Sequence, residues 1–443
     1  MRLPHPTVLM LGGIVIAALL TWILPAGEFD RREDPATGRR VTVGGTYHRV
    51  DPTPVGPFAA AVAIPRGFIE GSDVIAVVLF VGAAWLLVDK LGTLTAVVGA
   101  LVGTFKNRGL VAIPFIVAFF ASMGALENME EEIIPLVPVL LALGAGLGID
   151  PIAVVAMSAG AAMVGSAFGP TNPFQAGIAM KLAQLPQAEG LWLRVAMLIV
   201  AAAGWTVMTM RYAARTRTVP DVDPRSKDVS LDARHLLILL CVLTPMAVYV
   251  YGAVRLDWGL NQLSAAFFIG AIAAGLIGGL GLGGTMATYV DGMQALVSAA
   301  VLIGLARSIS LVLSDGRIVD TILNACASPL AHLPGVVSAF LMVPFHGLVH
   351  IAVPSVSGQA VLTMPLMVPL SDLLGLSRQV PVLAYQTGGG LAELFTPTNG
   401  ALMAVLLAVR VPYERWVRFA AVAVLIPLLV GLVGIAAAGW IAR

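Results

Sequence analysis

Two short stretches, Phe168-Gly169-Pro170-Thr171-Asn172 and Phe395-Thr396-Pro397-Thr398-Asn399, decide how this chain is read. Each lies inside an apolar run of helical length. Proline has no amide hydrogen and collides with the carbonyl one turn back, so each run is expected to be a helix broken near its middle. The two stretches stand 227 positions apart, and the same offset carries Pro138 onto Pro365 and Lys90 onto Arg317 without gaps. It also sets Asn128 opposite Ser355, Glu130 opposite Ser357 and Glu132 opposite Gln359. One such match is within chance. Several in register, with the surrounding elements in the same order, point to an internal repeat.

Outward from these stretches the chain is apolar almost throughout. Of its 443 residues 58% are hydrophobic and 12% charged, where a soluble domain carries about 25% charged residues. Several runs reach the roughly 20 residues that cross a bilayer. The net charge of +1 leaves no basic surface for nucleic acid. Cys241 and Cys326 form no metal or redox pattern. Thr7 to Leu24 follows Arg2 and ends at Pro25. It is longer than a signal-peptide core and is read as a first spanning helix.

The expected fold is an all-α polytopic membrane protein with two inverted repeats, each holding a re-entrant helical hairpin and a broken transmembrane helix. Residues 1–73 form the first transmembrane helix and an outer segment whose end, Pro57 to Glu70, lies along the membrane surface. Residues 74–211 form the first repeat, with a hairpin at 110–147 and a broken helix at 151–181; Leu91 to Phe105 is an interfacial helix. Residues 212–292 hold a basic linker, including Arg225 and Lys227, and two plain crossings. Residues 293–443 form the second repeat, with a crossing from Met293 to Leu313, a hairpin at 335–373, a broken helix at 380–409 and a last crossing from Trp416 to Ile441. With the N-terminus in the cytoplasm the basic linker, Arg410, Arg415 and Arg418 fall inside, as the positive-inside tendency asks; Arg31, Arg32, Arg39 and Arg40 in the outer segment dissent.

Three constellations could carry chemistry. The first is Glu127-Asn128-Met129-Glu130-Glu131-Glu132. Its flanking arms, Leu110 to Leu126 and Ile133 to Leu147, have 17 and 15 residues, so each reaches roughly 22–26 Å, short of a core of about 30 Å. A re-entrant hairpin puts its acidic tip deep in the membrane, where each unpaired carboxylate costs roughly 2.5–3.5 kcal/mol. These groups must face water, share protons or bind a cation; two short spanning helices with a solvated loop are the plainer alternative. The second constellation is the pair of breaks, Gly169 to Asn172 and Thr396 to Asn399. A broken helix leaves carbonyls and half-helix ends unpaired, and Thr171, Asn172, Thr398 and Asn399 add side-chain oxygens suited to Na⁺. The third is Pro354-Ser355-Val356-Ser357-Gly358-Gln359, a neutral, tight tip suited to contact with substrate. Arg307, inside a crossing, could hold a substrate carboxylate or pair with a glutamate. Glu393, just before the second break, is a candidate for proton or cation binding. His346 and His350 are read first as packed residues. The chain carries no P-loop, nucleophile elbow or His/Cys metal cluster, which argues against an ATP-driven pump or an enzyme.

The runs A-G-A-A-M-V-G-S-A-F-G-P-T-N-P-F, P-S-V-S-G-Q-A-V-L-T-M-P-L-M-V-P-L and F-T-P-T-N-G-A-L-M-A-V-L, with V-P-Y-E-R-W and the N-terminal W-I-L-P-A-G-E-F, resemble the YfcC branch of the DcuC (C4-dicarboxylate anaerobic carrier) family within the ion transporter superfamily. The resemblance covers essentially the whole chain. It implies a scaffold domain, a transport domain with two opposed hairpins, an elevator-type movement and a homodimer. It places the hairpin tips at Glu127 to Glu131 and Ser355 to Gln359, and the linkers at Gly169 to Pro173 and Thr396 to Gly400. Better-known relatives carry S-N-T at the tips, and this chain does not, so the coupling ion stays open between Na⁺ and H⁺; no other cofactor is expected. Some members of the family are called C4-dicarboxylate carriers, and the YfcC branch is called basic amino-acid antiporter-like.

The expectation is a secondary transporter in a bacterial-type inner membrane. Its partners are a small-molecule substrate and the lipid bilayer. Glu127, Glu130, Glu131 and Glu393 outnumber Arg307, which leans the substrate toward an amino acid with a cationic part, moved by exchange or by H⁺ or Na⁺ coupling. A C4-dicarboxylate carrier is the alternative, and an ion channel a further one.

Overall fold

The computed structural model describes residues 6–35, 38–186, 188–220, 231–256 and 258–441; Arg225 and Lys227 of the basic linker lie outside them. Helix α1 (Pro6–Ile23) leads into four short strands, β1 (Gly27–Glu28), β2 (Arg31–Asp34), β3 (Arg39–Thr42) and β4 (His48–Arg49). Strand β1 pairs with β4 and β2 with β3, both antiparallel. These short ladders are confined to the outer segment, and the chain around them is helical, in keeping with the all-α expectation. Their register sets Glu33 opposite Arg40, and opposite charges directly across a ladder favour the pairing. A stretch with charges of both signs thus closes on itself.

The rest is helical. Helix α2 (Pro57–Glu70) begins with proline at its first turn, where no amide hydrogen is needed. It does not lie free on a surface: a side chain at Gly67 would strike Ser308 and Gly304 of a later helix. Then come α3 (Ser72–Lys90), α4 (Thr93–Phe105), α5 (Ala112–Glu127) and α6 (Val137–Leu147), the last preceded by a 3₁₀ turn at Glu131–Leu136. The first broken helix runs through α7 (Pro151–Val155), a π segment (Ala156–Gly160) and α8 (Ala161–Phe168), then resumes as α9 (Ala176–Leu182). The π segment has an identifiable cause. Trp205 of α10 (Leu191–Arg215) donates its indole N–H to the Ala156 carbonyl over 2.7 Å. Gly160 makes the room, since a Cβ there would meet Trp205 and Trp416.

Helices α11 (Ala233–Leu256), α12 (Leu260–Ile277) and α13 (Gly281–Asp315) follow. Helix α13 has 35 residues and starts at Gly281 instead of Met293, so the expected boundary at 292/293 falls inside it. Then come α14 (Val319–Ala327), α15 (Gly335–Ala352), α16 (Val356–Leu373), α17 (Gln379–Ala392), α18 (Gly400–Ala408), α19 (Tyr413–Ala423) and α20 (Leu425–Ile441). The last expected crossing is thus two helices, bent by 44°. Among the described residues seven helices are long and apolar enough to cross a membrane, or eight when that bent pair counts as one. Large apolar side chains such as Phe58, Phe115 and Trp192 stand on the outside, as lipid-facing residues must. The chain is a polytopic helical membrane protein.

Glycines let the inner helices touch. A side chain at Gly124 of α5 would strike the Ala162 carbonyl of α8, and one at Gly165 of α8 would strike the Ala121 carbonyl of α5. Small residues at such a seam let two backbones approach closely in lipid.

Candidate functional site

The acidic tip is shaped by its own chain. Asn128 caps α5 in the left-handed conformation, φ 58°, which asparagine tolerates better than most residues. The turn is then held by the Glu130 amide, which donates to Glu132 Oε2 over 3.1 Å, and by Asn128 Nδ2, which donates to Glu130 Oε1 over 3.3 Å.

The first break grips this tip. Asn172 Nδ2 donates to the Gly124 carbonyl and to Asn128 Oδ1, each over 3.1 Å, and lies 3.2 Å from Ser166 Oγ. Asn172 Oδ1 accepts from the amides of Phe174 and Gln175. Ser166 Oγ donates toward Asn128 Oδ1 over 2.5 Å and lies 3.1 Å from Gln175 Oε1. Asn172 is fully buried and spends its side chain on structure.

At the second break Asn399 caps α18, its Oδ1 accepting from the Leu402 amide over 3.0 Å. Thr398 donates to the Ile351 carbonyl over 3.0 Å and Thr396 to the Ala392 carbonyl over 2.8 Å. Three carbonyls at the breaks have found side-chain donors, as buried backbone groups generally do. Gly169 accepts from Gln386 Nε2, Leu394 from Trp416 Nε1, and Phe395 from the Tyr413 hydroxyl. This corrects the expectation that these carbonyls stand unpaired.

Two elements far apart in sequence meet at a cavity of about 210 Å³. The first tip contributes Glu127, Asn128, Glu130, Glu131 and Glu132. The second contributes Ser355 and Ser357, the second break Glu393, Thr398 and Asn399, and α13 Arg307. Gly400 and Ala401 bring the N-terminus of α18 to the same wall. Among the described residues Arg307 makes no hydrogen bond and no ion pair, and Glu127 Oε1 and Glu393 Oε2 are buried without a partner.

The structure does not bring every expected residue to this cavity. Gly169, Thr171 and Asn172 stand away from its wall, with Thr171 exposed. Gly358, Gln359 and Thr396 are also outside it. Gly358 donates its amide to Ser355 Oγ, which caps α16. Gln359 is fully buried against two histidines, donating to the His346 carbonyl over 2.7 Å and lying 2.8 Å from His350 Nδ1. Sequence reasoning missed Val74, Phe174, Tyr249 and Leu260 as lining residues, because no local signal distinguishes an apolar residue facing a cavity from one facing lipid. Among the described residues no cluster of His, Cys, Asp and Glu is arranged to hold a metal ion.

Residues 3–439 match the sequence profile of DcuC, the C4-dicarboxylate anaerobic carrier family. The chain belongs to that family. Members of the DcuC family are transporters, not enzymes. Within reach of this DcuC chain is an Escherichia coli (strain K12) protein named "Putative basic amino acid antiporter YfcC", 29% identical over 95% of this chain and 93% of that one. A Haemophilus influenzae relative, named "Uncharacterized protein", is 27% identical over 94% of this chain and 93% of its own length. Among solved structures, the YdaH transporter of Alcanivorax borkumensis aligns over 99% of this chain and 98% of its own at 18% identity, TM-score 0.46. MtrF of Neisseria gonorrhoeae aligns over 99% and 96% at 17% identity, TM-score 0.45.

Proposed function

We propose that this DcuC-family transporter moves an amino acid bearing a cationic side chain, by exchange or by coupling to H⁺ or Na⁺. The observation that carries the reading is the composition of the cavity wall: five glutamates and a single arginine, Arg307, among the described residues. An arginine or lysine substrate has one carboxylate and two cationic groups. Its carboxylate fits between Arg307 and the N-terminus of α18, where guanidinium and helix dipole act together. Its cationic groups fit Glu127 and Glu131. At about 210 Å³ the cavity is below the roughly 300–1,000 Å³ of drug-sized ligand sites, a size for a small metabolite. The name of the E. coli relative supports both the substrate class and exchange.

The family description names C4-dicarboxylates, which makes them the second reading. A dicarboxylate needs cationic donors at both ends, and beyond Arg307 the wall offers acids. Unpaired carboxylates beside a second anion would be repelled and desolvated together.

The movement we propose follows from the 227-residue offset. It carries α5 and α6 onto α15 and α16, α8 and α9 onto α17 and α18, and α10 onto α19 with α20. Asn172 and Asn399 make the same local interaction, Oδ1 accepting from the amide three residues on. This supports two inverted repeats with re-entrant hairpins forming a transport domain against a scaffold. An elevator-type motion in a homodimer, the N-terminus cytoplasmic, is the architecture we assign. The engaged break carbonyls favour H⁺ over Na⁺ as coupling ion. Equilibrium binding of labelled arginine to the purified chain tests the substrate. Displacement by lysine and not by succinate is expected; displacement by succinate alone overturns the reading.

A further inference from the structure

Behind the second break lies a buried polar group that the substrate reading does not use. Glu130 and Glu393 come from opposite ends of the chain and are almost fully buried, at 5% and 4% exposure. Both line the wall of the same cavity. Two carboxylates buried on one wall repel each other when both are ionised, so a site of this kind must share a proton or meet a cation.

On the far side of Glu393 stands His350, whose Nε2 is 3.7 Å from Glu393 Oε1. The tautomer of His350 follows from its neighbours. Gln359 Nε2 donates to the His346 backbone carbonyl over 2.7 Å, and a carbonyl can only accept, so the amide is fixed with its oxygen toward His350. That oxygen lies 2.8 Å from His350 Nδ1, so Nδ1 carries the hydrogen. A neutral His350 therefore turns the lone pair of Nε2 toward Glu393. This nitrogen is buried and has no hydrogen-bond partner, as is true of Glu393 Oε2. At 3.7 Å the pair stands just beyond the 2.7–3.2 Å of a formed hydrogen bond.

We propose that Glu130, Glu393 and His350 form a binding site for the coupling proton, with His350 held in one tautomer by Gln359 as the inner acceptor. A proton entering from the cavity is shared by the two carboxyls. With Glu393 as the protonated partner, its O–H donates to His350 Nε2 after a small closing movement. With the proton gone, two carboxylates remain to attract a cationic group from the cavity. Proton and cationic solute then compete for the same oxygens, which is the requirement for exchanging one against the other. The titratable or charged groups around this site are Glu127, Glu131 and Glu132 from the first tip, Tyr249 from α11, Arg307 from α13, and His346 and Tyr385, whose rings meet edge to face at 5.4 Å. From α16 the neighbour is the neutral Gln359.

The proposal builds on the cavity as the transport site, but its test needs no solute. The full chain, labelled with ¹⁵N-histidine, is reconstituted in liposomes and followed across pH by solid-state NMR and by infrared spectroscopy of the carboxylic acid C=O stretch. The chain has six histidines, and His350→Asn identifies the His350 signals by their loss. We expect neutral His350 as the Nδ1–H tautomer, and a titrating carboxylic acid band that Glu393→Gln removes. His350→Asn is expected to move the midpoint of that band by about one pH unit or more. Should His350→Asn fail to fold, the isosteric Glu130→Gln serves, with the same shift in midpoint expected. An Nε2–H tautomer, or a carboxylic band untouched by Glu393→Gln, overturns the proposal. Binding of succinate instead of arginine would sink the substrate reading and leave this titration unaffected.

Discussion

Asn172 Nδ2 donates to Asn128 Oδ1 over 3.1 Å and so ties the first helix break to a tip 44 residues earlier. The same side chain accepts from the Phe174 and Gln175 amides ahead of the next half-helix and holds the Gly124 carbonyl. The first P-T-N motif thus positions the acidic tip, and the tip, not this copy of the motif, reaches the cavity.

Asn172→Ala is expected to leave the Phe174 and Gln175 amides without their partner, while the Gly124 carbonyl keeps only the Asn128 amide. Each buried polar group so stranded costs about 1–3 kcal/mol. The chain should still insert, unfold at lower temperature in detergent, and lose solute counterflow. Asn172→Asp keeps an acceptor for the Phe174 and Gln175 amides but sets an acceptor against the Gly124 carbonyl and Asn128 Oδ1, so it should rescue only part of the stability. Thermal unfolding followed by tryptophan fluorescence, paired with counterflow, checks both.

Arg307 is the cationic side chain of the cavity wall. Arg307→Gln removes a charge-assisted bond of roughly 1.5–3 kcal/mol, which converts to a rise in half-saturation on the order of 10- to 100-fold. Arg307→Lys keeps a charge and loses the planar fork, so it should fall between. Concentration dependence of uptake in proteoliposomes measures the ratio; unchanged half-saturation in Arg307→Gln removes Arg307 from the anion subsite.

Glu127 and Glu131 are assigned to the cationic groups of the solute. Glu131→Gln is therefore expected to weaken arginine more than citrulline, the neutral isostere of the same shape. Competition assays with both solutes give the ratio. Equal loss for the two would mean that the glutamate acts on the fold alone.

Much of this was legible before any coordinates. The acidic tip and the paired breaks stand out because charge and proline are expensive in an apolar run, so Glu130, Glu393 and Arg307 were marked by their residue type alone. The remainder depends on contacts between distant parts of the chain. Gln359 reads as a tip residue, and only its meeting with His346 and His350 shows a buried network. The π segment at Ala156–Gly160 has no local signature, since its cause is Trp205 on another helix. The outer segment reads as a polar loop, yet Thr42 donates to the Leu362 carbonyl of α16 over 2.8 Å, a contact across 320 residues.

Asp320 anchors that outer segment. It is buried, accepts from both terminal nitrogens of Arg31 at 3.0 Å and from the Phe29 amide at 2.9 Å. A bidentate arginine–carboxylate pair with a backbone donor is among the stronger polar contacts. Asp320→Asn should loosen the segment, cost about 1–3 kcal/mol, and raise the rate of proteolysis between Gly27 and Val55 several-fold. Protection equal to wild type would show that the ladders hold the segment without this pair.

The seam of Gly124 and Gly165 predicts a sharp contrast. Gly165→Val overpacks two backbones in contact and is expected to cost at least 1–3 kcal/mol, reducing the yield of monodisperse protein. Gly283→Ala, where an added Cβ meets nothing within 4 Å, should be silent. Size-exclusion chromatography after extraction distinguishes the two.

The central claim, a cavity built for a solute with one carboxylate and excess positive charge, is tested most directly by counterflow. Proteoliposomes holding the wild-type chain are loaded with unlabelled arginine or succinate and given the matching labelled solute outside. The account predicts counterflow of arginine, lost in Arg307→Gln and in Glu130→Gln, and none of succinate. Counterflow of succinate, with arginine inert, would contradict it.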